Sequence, residues 1–321
     1  MPKTISFILI LILILPQSSS YSTKLYWSEE NNTIYGNGII VTFHNSKPDY
    51  WVRIPNSTDN ISYIIRFLRL FEFIDSNENN LYDEDDQVIS STDLLSATWN
   101  ISYENITMPK DNTTELVGIL VYLRSNASVY NQNTNQTNNT LLSFSNHLFS
   151  FDTYIESYPV IGNREIKIDF SVAKWPWTSN RSMLCLEISF LYLINDTFFV
   201  PTCHFDTVTF ENLELNRVTI RASKQDYIEF RFSRYVRFHA INITQQDIYV
   251  SYNFTNSPAI LRITFPYSNG TLVYDSSILA MHIEQPPQSS HGLHPIFVII
   301  PIAVGTTIII LYIREEKKRE R

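Results

Sequence analysis

Apolar and polar residues alternate one by one over long stretches of this chain, and this period of two is its most restrictive feature. In residues 166–172, IKIDFSV, four apolar side chains fall on one face and three polar side chains on the other. The stretches 184–194, LCLEISFLYLI, and 228–232, IEFRF, repeat the pattern. Side chains of a β-strand point alternately to opposite faces. The pattern therefore predicts an all-β fold, with antiparallel strands packed as a β-sandwich.

Two further stretches shape the predicted domain organisation. Residues 61–71, ISYIIRFLRLF, are rich in β-branched and aromatic residues, which favours a strand over a helix. The polar tract 130–140, YNQNTNQTNNT, is predicted to be a long loop or a linker. It divides a first sandwich, 21–129, from residues 141–281, which form either a second sandwich or a continuation of the first.

Both ends of the chain carry apolar segments. Residues 1–20 combine one lysine, a short apolar run and small polar residues, which predicts a secretory signal peptide; the alternative is a buried N-terminal strand. Residues 295–313 are uncharged and about 28 Å long as a helix, which predicts one C-terminal transmembrane helix with the lipid bilayer as its partner.

The residues that flank the predicted transmembrane helix set its orientation. Residues 282–294 are rich in Pro and Ser and are predicted to form a stalk. The tail 314–321, REEKKRER, has an excess of basic residues and is predicted to be cytoplasmic. The chain is therefore expected at the cell surface, with its N-terminal bulk outside.

The charge of the chain restricts its partners, and its cysteines suggest a bridge. The whole chain carries −8, and since Lys3 and the tail are basic, the predicted exported part carries about −11. This balance speaks against nucleic acid as a partner. The only two cysteines, Cys185 and Cys203, are a candidate disulfide in an oxidising compartment.

Acceptor sequences for N-glycosylation, N-x-[ST] without proline, are unusually frequent between the two apolar segments. They predict a heavily glycosylated surface, and the alternative is that a composition rich in Asn, Ser and Thr produces them by chance. The fourteen acceptors are Asn31, Asn56, Asn60, Asn100, Asn105, Asn112, Asn126, Asn135, Asn138, Asn180, Asn195, Asn242, Asn253 and Asn269.

Residues 75–86, DSNENNLYDEDD, concentrate oxygen-bearing side chains in twelve positions. Oxygen donors at positions one, three, five, nine and twelve, with the main-chain carbonyl at position seven, are the spacing of a calcium loop. A solvated acidic turn is the alternative. The predicted Ca²⁺ ligands are Asp75, Asn77, Asn79, Leu81 through its carbonyl, Asp83 and Asp86.

This stretch resembles the calcium loops of EF-hands, dockerins, thrombospondin type 3 repeats and the B repeats of bacterial adhesins. It departs from them at position six, where Asn80 replaces the usual glycine, and at position twelve, where Asp86 replaces glutamate. Its flanks look extended rather than helical, so the resemblance implies a structural calcium loop between two strands.

Catalytic motifs do not stand out in the sequence. The seven histidines are scattered, and no nucleophile elbow, Walker loop or dinucleotide fingerprint occurs. We therefore expect a membrane glycoprotein that is not an enzyme and binds an extracellular protein or glycan. The alternatives are a membrane-anchored carbohydrate-active enzyme, in which Trp175 and Trp177 would form a sugar platform, and a component of a surface coat.

Overall fold

A computed structural model describes residues 25–283, except for residues 56, 58, 59, 111, 112, 152, 156, 157, 161, 163, 211, 212, 241 and 242. These residues form strands and loops, with one short 3-10 helix at His44–Ser46 and no α-helix in the described part. The all-β prediction is confirmed. The strands are β1 (Tyr26–Ser28), β2 (Thr33–Tyr35), β3 (Ile40–Phe43), β4 (Asp49–Arg53), β5 (Ile61–Ile74), β6 (Gln87–Asp93), β7 (Asn100–Lys110), β8 (Thr113–Asn131), β9 (Gln136–Phe149), β10 (Thr153–Ile155), β11 (Tyr158–Val160), β12 (Glu165–Ala173), β13 (Met183–Ile194), β14 (Thr197–Phe199), β15 (Cys203–Phe210), β16 (Leu213–Arg221), β17 (Asp226–Ala240), β18 (Ile243–Tyr249), β19 (Ser251–Asn256), β20 (Ala259–Pro266) and β21 (Thr271–His282).

The strands fall into two groups, and every pair of neighbours is antiparallel. The β8 group runs in the order β7–β8–β9–β12–β21–β17–β16–β15, and β18 pairs with the second half of β17. The β5 group runs β1–β2–β3–β4–β5–β13–β20–β19. In this second group β6 pairs with the second half of β5, and β14 pairs with the end of β13.

A short pairing between β6 and β8 joins the two groups. Ser90 and Ser91 lie opposite Asn131 and Tyr130, so hydrogen bonding makes one large antiparallel sheet of 19 strands. The strands β10 and β11 form a separate two-stranded sheet. The structure thus shows antiparallel pairing throughout the described residues.

The hydrophobic core lies where side chains of the two groups meet. The ring of Phe67 in β5 lies 4.9 Å from that of Phe144 in β9 and 6.2 Å from that of Phe230 in β17. Phe190 in β13 approaches Phe230 to 5.7 Å between centroids. All four rings are buried, so the apolar face predicted from the alternating pattern is the face that packs.

The polar tract 130–140 forms the end of a β-hairpin rather than a linker. Strand β8 continues to Asn131, a four-residue turn follows, and β9 begins at Gln136. Strands from both sides of the tract also pair with each other, as β5 does with β13 along its length. The described residues from 25 to His282 therefore form a single compact unit.

Within the part of the chain that the structure describes, no helix is long and apolar enough to cross a membrane. The predicted signal peptide, transmembrane helix and cytoplasmic tail lie outside the described residues, as does the predicted stalk beyond Ile283.

Candidate calcium site

The acidic loop 75–86 connects two paired strands. Strand β5 ends at Ile74 and β6 begins at Gln87, and these two residues lie opposite each other in the sheet. The extended flanks predicted for the loop are confirmed. Because both ends of the loop are fixed by the ladder, its twelve residues must turn back within a short distance.

Asp75 holds the first half of the loop in place. Its two carboxylate oxygens accept hydrogen bonds from the main-chain nitrogens of Asn79, at 3.3 Å, and Asn80, at 2.6 Å. The side-chain oxygen of Asn77 accepts from the nitrogen of Asn79, and that of Asn79 accepts from the nitrogen of Leu81. The predicted ligands at positions one, three and five thus point their oxygens inward at loop nitrogens.

Asp83 and Asp86 close the second half. Asp86 accepts hydrogen bonds from the main-chain nitrogens of Ser76, at 2.8 Å, and Asp83, at 2.9 Å, and so joins both ends of the loop. Asp83 accepts from the side-chain amides of Asn77, at 2.7 Å, and Asn79, at 2.9 Å. These amide bonds, the Asn77 bond foremost, lower the pKa of the Asp83 carboxyl from its usual value.

Position six has the backbone conformation that such loops require. Asn80 has φ of 62°, in the left-handed region that glycine normally supplies. Asparagine tolerates this region better than most residues because its short side chain can bond locally. The substitution of glycine by asparagine therefore leaves the turn intact.

Tyr82 docks the loop onto the sheet, which the sequence did not predict. Its ring packs edge-on against Phe71, at 4.7 Å, and Phe73, at 5.3 Å, and its carbonyl accepts a 3.1 Å hydrogen bond from Asn253 of β19. The only signal in the sequence was an aromatic residue inside an otherwise polar loop. Through Tyr82, the order of the loop is coupled to two strands of the β5 group, β5 and β19.

The donor set of the loop fits a hard cation. Carboxylate, amide and carbonyl oxygens are the ligands that Ca²⁺ takes, and no Lys or Arg occurs from residue 70 to 109. The two arginines near Tyr82, Arg69 and Arg262, both pair with Glu187. A bound Ca²⁺ would supply the positive charge that this segment lacks, held by the six predicted ligands.

The structure does not gather the acidic side chains themselves into a cluster. Among the described residues, no group of three or more His, Cys, Asp or Glu side chains could hold a metal ion. The amide nitrogens of Asn77 and Asn79, rather than their oxygens, face Asp83. The calcium site stays a prediction that rests on the spacing and backbone of the loop.

The two cysteines do not form the predicted disulfide in this structure. Both thiols are free and buried. Cys185 packs with Phe71 and Phe73, whereas Cys203 belongs to the main core, where burial raises its pKa to about 12. Strand β14 pairs with only three residues of β13, after which the chain leaves to pair with β16 in the other group. The two arms therefore diverge before the cysteines can meet.

The predicted glycosylation sites lie at the surface wherever the structure describes them, with one exception. The exception, Asn253, is half-buried. Asn56, Asn112 and Asn242 lie outside the described residues. The exposed acceptors are Asn31, Asn60, Asn100, Asn105, Asn126, Asn135, Asn138, Asn180, Asn195 and Asn269.

The described asparagines outside acceptor sequences are mostly exposed as well, but three of them are buried. Asn131, Asn146 and Asn216 are the buried asparagines of the described residues, and none begins an N-x-[ST] sequence. The Asn146 amide, for example, donates to the Val121 carbonyl and its oxygen accepts from Tyr50. The described acceptor asparagines therefore avoid the fully buried positions that asparagine takes elsewhere in the fold, and ten of them lie where a glycan could be attached.

The tryptophan segment proposed as a sugar platform has a different role. Trp175 is buried at 7% exposure and belongs to the main core. Trp177 packs edge-on against Tyr267 at 5.1 Å. The loop that carries them is tied to Glu72, which accepts from the Thr178 nitrogen and from the Ser182 hydroxyl. Trp175 cannot present a free face to a sugar ring.

A buried ion network lies on the polar side of β12 and was not predicted. Lys167 is fully buried, contacts the Asp169 carboxylate and lies 3.6 Å from Asp275. His147 of β9 lies 3.1 Å from the other oxygen of Asp169. Alternation predicted a solvated face here, yet the structure buries charges on it and pairs them.

No family model matches the chain, and the search of curated proteins found no match either. The fold and the sites described above are therefore the basis for its function.

Proposed function

We propose that this protein is a single-pass type I membrane glycoprotein whose ectodomain, a calcium-stabilised β-sandwich, binds a partner at the cell surface or mediates adhesion. The observation that carries the proposal is the placement of the acceptor asparagines. Ten are exposed and one is half-buried, whereas the three buried asparagines lack the acceptor sequence. An exported surface on which the exposed acceptors carry glycans would account for the absence of acceptors from these buried positions.

Two further features support the proposal. The two strand groups pack their apolar faces against each other, as the layers of a sandwich do. Asn80 of loop 75–86 has the positive φ that a calcium loop needs at its sixth position, and extracellular modules bind calcium at about 10⁻⁴ to 10⁻³ M. An ectodomain at the cell surface meets calcium in this range.

The topology is tested by adding protease to intact cells that express the full-length protein with a C-terminal tag. We expect the N-terminal bulk to be digested and a short tagged fragment, protected by the membrane, to remain. Permeabilised cells serve as the control, in which the tag should be lost as well. Full-length protein recovered from the soluble fraction would contradict the proposal.

Glycan occupancy offers a test at single residues. We expect Asn126 and Asn195 to be occupied and Asn253 to be bare, because the amide of Asn253 donates to the Tyr82 carbonyl and a sugar on that nitrogen would displace the loop. Mass spectrometry of peptides released with a glycosidase in heavy-oxygen water measures each site. Bare peptides at every exposed acceptor would refute the glycoprotein proposal.

A further inference from the structure

A cleft opens between the edge strands of the two groups, at β1 and β7. Its volume is about 430 Å³, which is within the usual range for small-molecule sites. Strand β1 pairs only with β2 and β7 only with β8 among the described strands, so each contributes a free edge. The cleft is lined by Trp27, Glu29, Asn32, Ile101, Ser102 and Tyr103.

Two aromatic rings form the wall of the cleft. Trp27 and Tyr103 stack with their centroids 5.6 Å apart and their planes inclined by 30°. Trp27 also packs against Phe43 of the core, at 6.0 Å, so the pair is fixed from within. Tyr103 nevertheless stays 38% exposed. An aromatic ring in this position offers a flat apolar surface to a ligand.

Polar groups converge on the same cleft. The Glu29 carboxylate is close enough to the Tyr103 hydroxyl to raise the pKa of Tyr103, and Glu29 itself is exposed. Asn32 adds a side-chain amide, whose nitrogen donates a 3.0 Å hydrogen bond to the Ser46 hydroxyl. A carboxylate, an amide and a hydroxyl beside a flat ring offer acceptors and donors at several points.

From this combination we infer that the cleft binds a neutral carbohydrate chain. A sugar ring has a face of C–H groups, which packs on an aromatic ring, and a rim of hydroxyls, which bond to carboxylates and amides. The exposed Glu29 and the acidic exported part disfavour an anionic ligand. The inference rests on the proposed function and names its ligand class.

Such a chain could come from two sources, a free glycan or the glycan of Asn105 on the same molecule. Tyr103 and Asn105 are two residues apart on β7, so their side chains leave the same face of the strand. Asn126 of β8 is a natural comparison, because the residue two positions before it is Arg124 rather than an aromatic residue. The chemistry of the ligand is the same in both cases.

The first experiment tests free glycans on full-length protein purified in detergent. Chitotriose, mannotriose and cellotetraose are titrated against wild type, Tyr103→Ala and Thr107→Ala. The Thr107→Ala change removes the acceptor sequence of Asn105, and Thr107→Ser, which retains this sequence, is its control. We expect at least one of these sugars to bind wild type or Thr107→Ala. Adding Tyr103→Ala to the protein that binds should weaken this binding about tenfold or more. The control Tyr235→Ala removes a tyrosine that is 54% exposed on β17 and should bind as its parent does.

The second experiment tests the attached glycan. The rate of enzymatic release from folded protein is measured at Asn105 and at Asn126. Slow release at Asn105 that becomes as fast as at Asn126 in Tyr103→Ala supports the inference with the attached glycan as the ligand. The inference is overturned if no sugar binds any variant and both sites release at equal, unchanged rates. A bare Asn105 would count against the proposed function alone, since the titrations still test the cleft.

Discussion

The Lys167→Met variant is expected to be destabilised by about 3–5 kcal/mol, the cost of breaking a buried ion pair by removing one partner. Lys167 is fully buried, and its ammonium group lies between the carboxylates of Asp169 and Asp275. Methionine has a similar volume, so it leaves little cavity. The loss therefore comes from the missing ammonium charge, although Asp169 would keep His147 beside it and Asp275 would keep Arg237.

Urea unfolding of the full-length protein in detergent, followed by tryptophan fluorescence, measures this loss. The matched control is Lys224→Met, which removes an exposed lysine and should change the free energy of unfolding by less than about 0.5 kcal/mol. The double variant Lys167→Met with Asp169→Asn should recover part of the loss. Equal stability of Lys167→Met and wild type would show that the network contributes nothing.

The same network predicts how stability depends on pH. Burial raises the pKa of Asp169, but the nearby His147 and the charge of Lys167 outweigh it and hold the pKa at about 2. Because the folded pKa lies below the ordinary value of 3.8, this stabilisation is present above pH 4 and is lost as the pH falls towards about 2. In Lys167→Met the pKa of Asp169 should rise, so the loss should begin at a higher pH.

Calcium is expected to raise the melting temperature of the protein by roughly 4–10 °C. At calcium concentrations about 10 to 100 times the dissociation constant, binding to the folded state alone adds about 1.5–3 kcal/mol. For a domain of this size each kcal/mol corresponds to roughly 2–4 °C. Melting with about 10 mM calcium, which is about 10 to 100 times the dissociation constant of extracellular calcium modules, and with a chelator measures the difference.

Two variants separate a calcium site from an acidic turn. Asp75→Ala should abolish the response to calcium, and it should also melt lower than wild type in chelator, because Asp75 accepts hydrogen bonds from Asn79 and Asn80. Glu84→Ala removes an exposed carboxylate of the same loop that is not a predicted ligand, and it should respond as wild type does. If wild type melts at one temperature in both solutions, the loop is an acidic turn.

The sequence predicted the local features of the fold far better than the pairing of distant residues. Alternation identified the strands and the buried face of residues 166–172, since strand periodicity is a local property. It did not predict the burial of Lys167, which depends on partners contributed by β9 and β21. The predicted disulfide is absent from the structure for the same reason. The symmetric spacing of the two cysteines about a turn does not show with which strand β15 pairs.

At the candidate calcium site, too, the sequence predicted the local features but not the contacts with distant residues. The spacing of oxygens in residues 75–86 located the loop, and the positive φ at Asn80 agrees with the position where the motif requires it. The docking of Tyr82 on Phe71 and its bond from Asn253 could not be predicted, because β19 lies far away in the sequence. The cleft at Trp27 and Tyr103 was missed because its walls come from two strands that are not paired with each other.

The place of β21 in the sheet has a consequence for how the chain acquires its structure during synthesis. This strand is the last of the described fold, yet it lies between β12 and β17 rather than at an edge. Strand β13 likewise needs β5, which is made long before it, and β20, which follows much later. One edge of β13 must therefore stay unpaired until residues 259–266 emerge, and one edge each of β12 and β17 until residues 271–282 emerge. A topology rich in such distant pairings folds slowly.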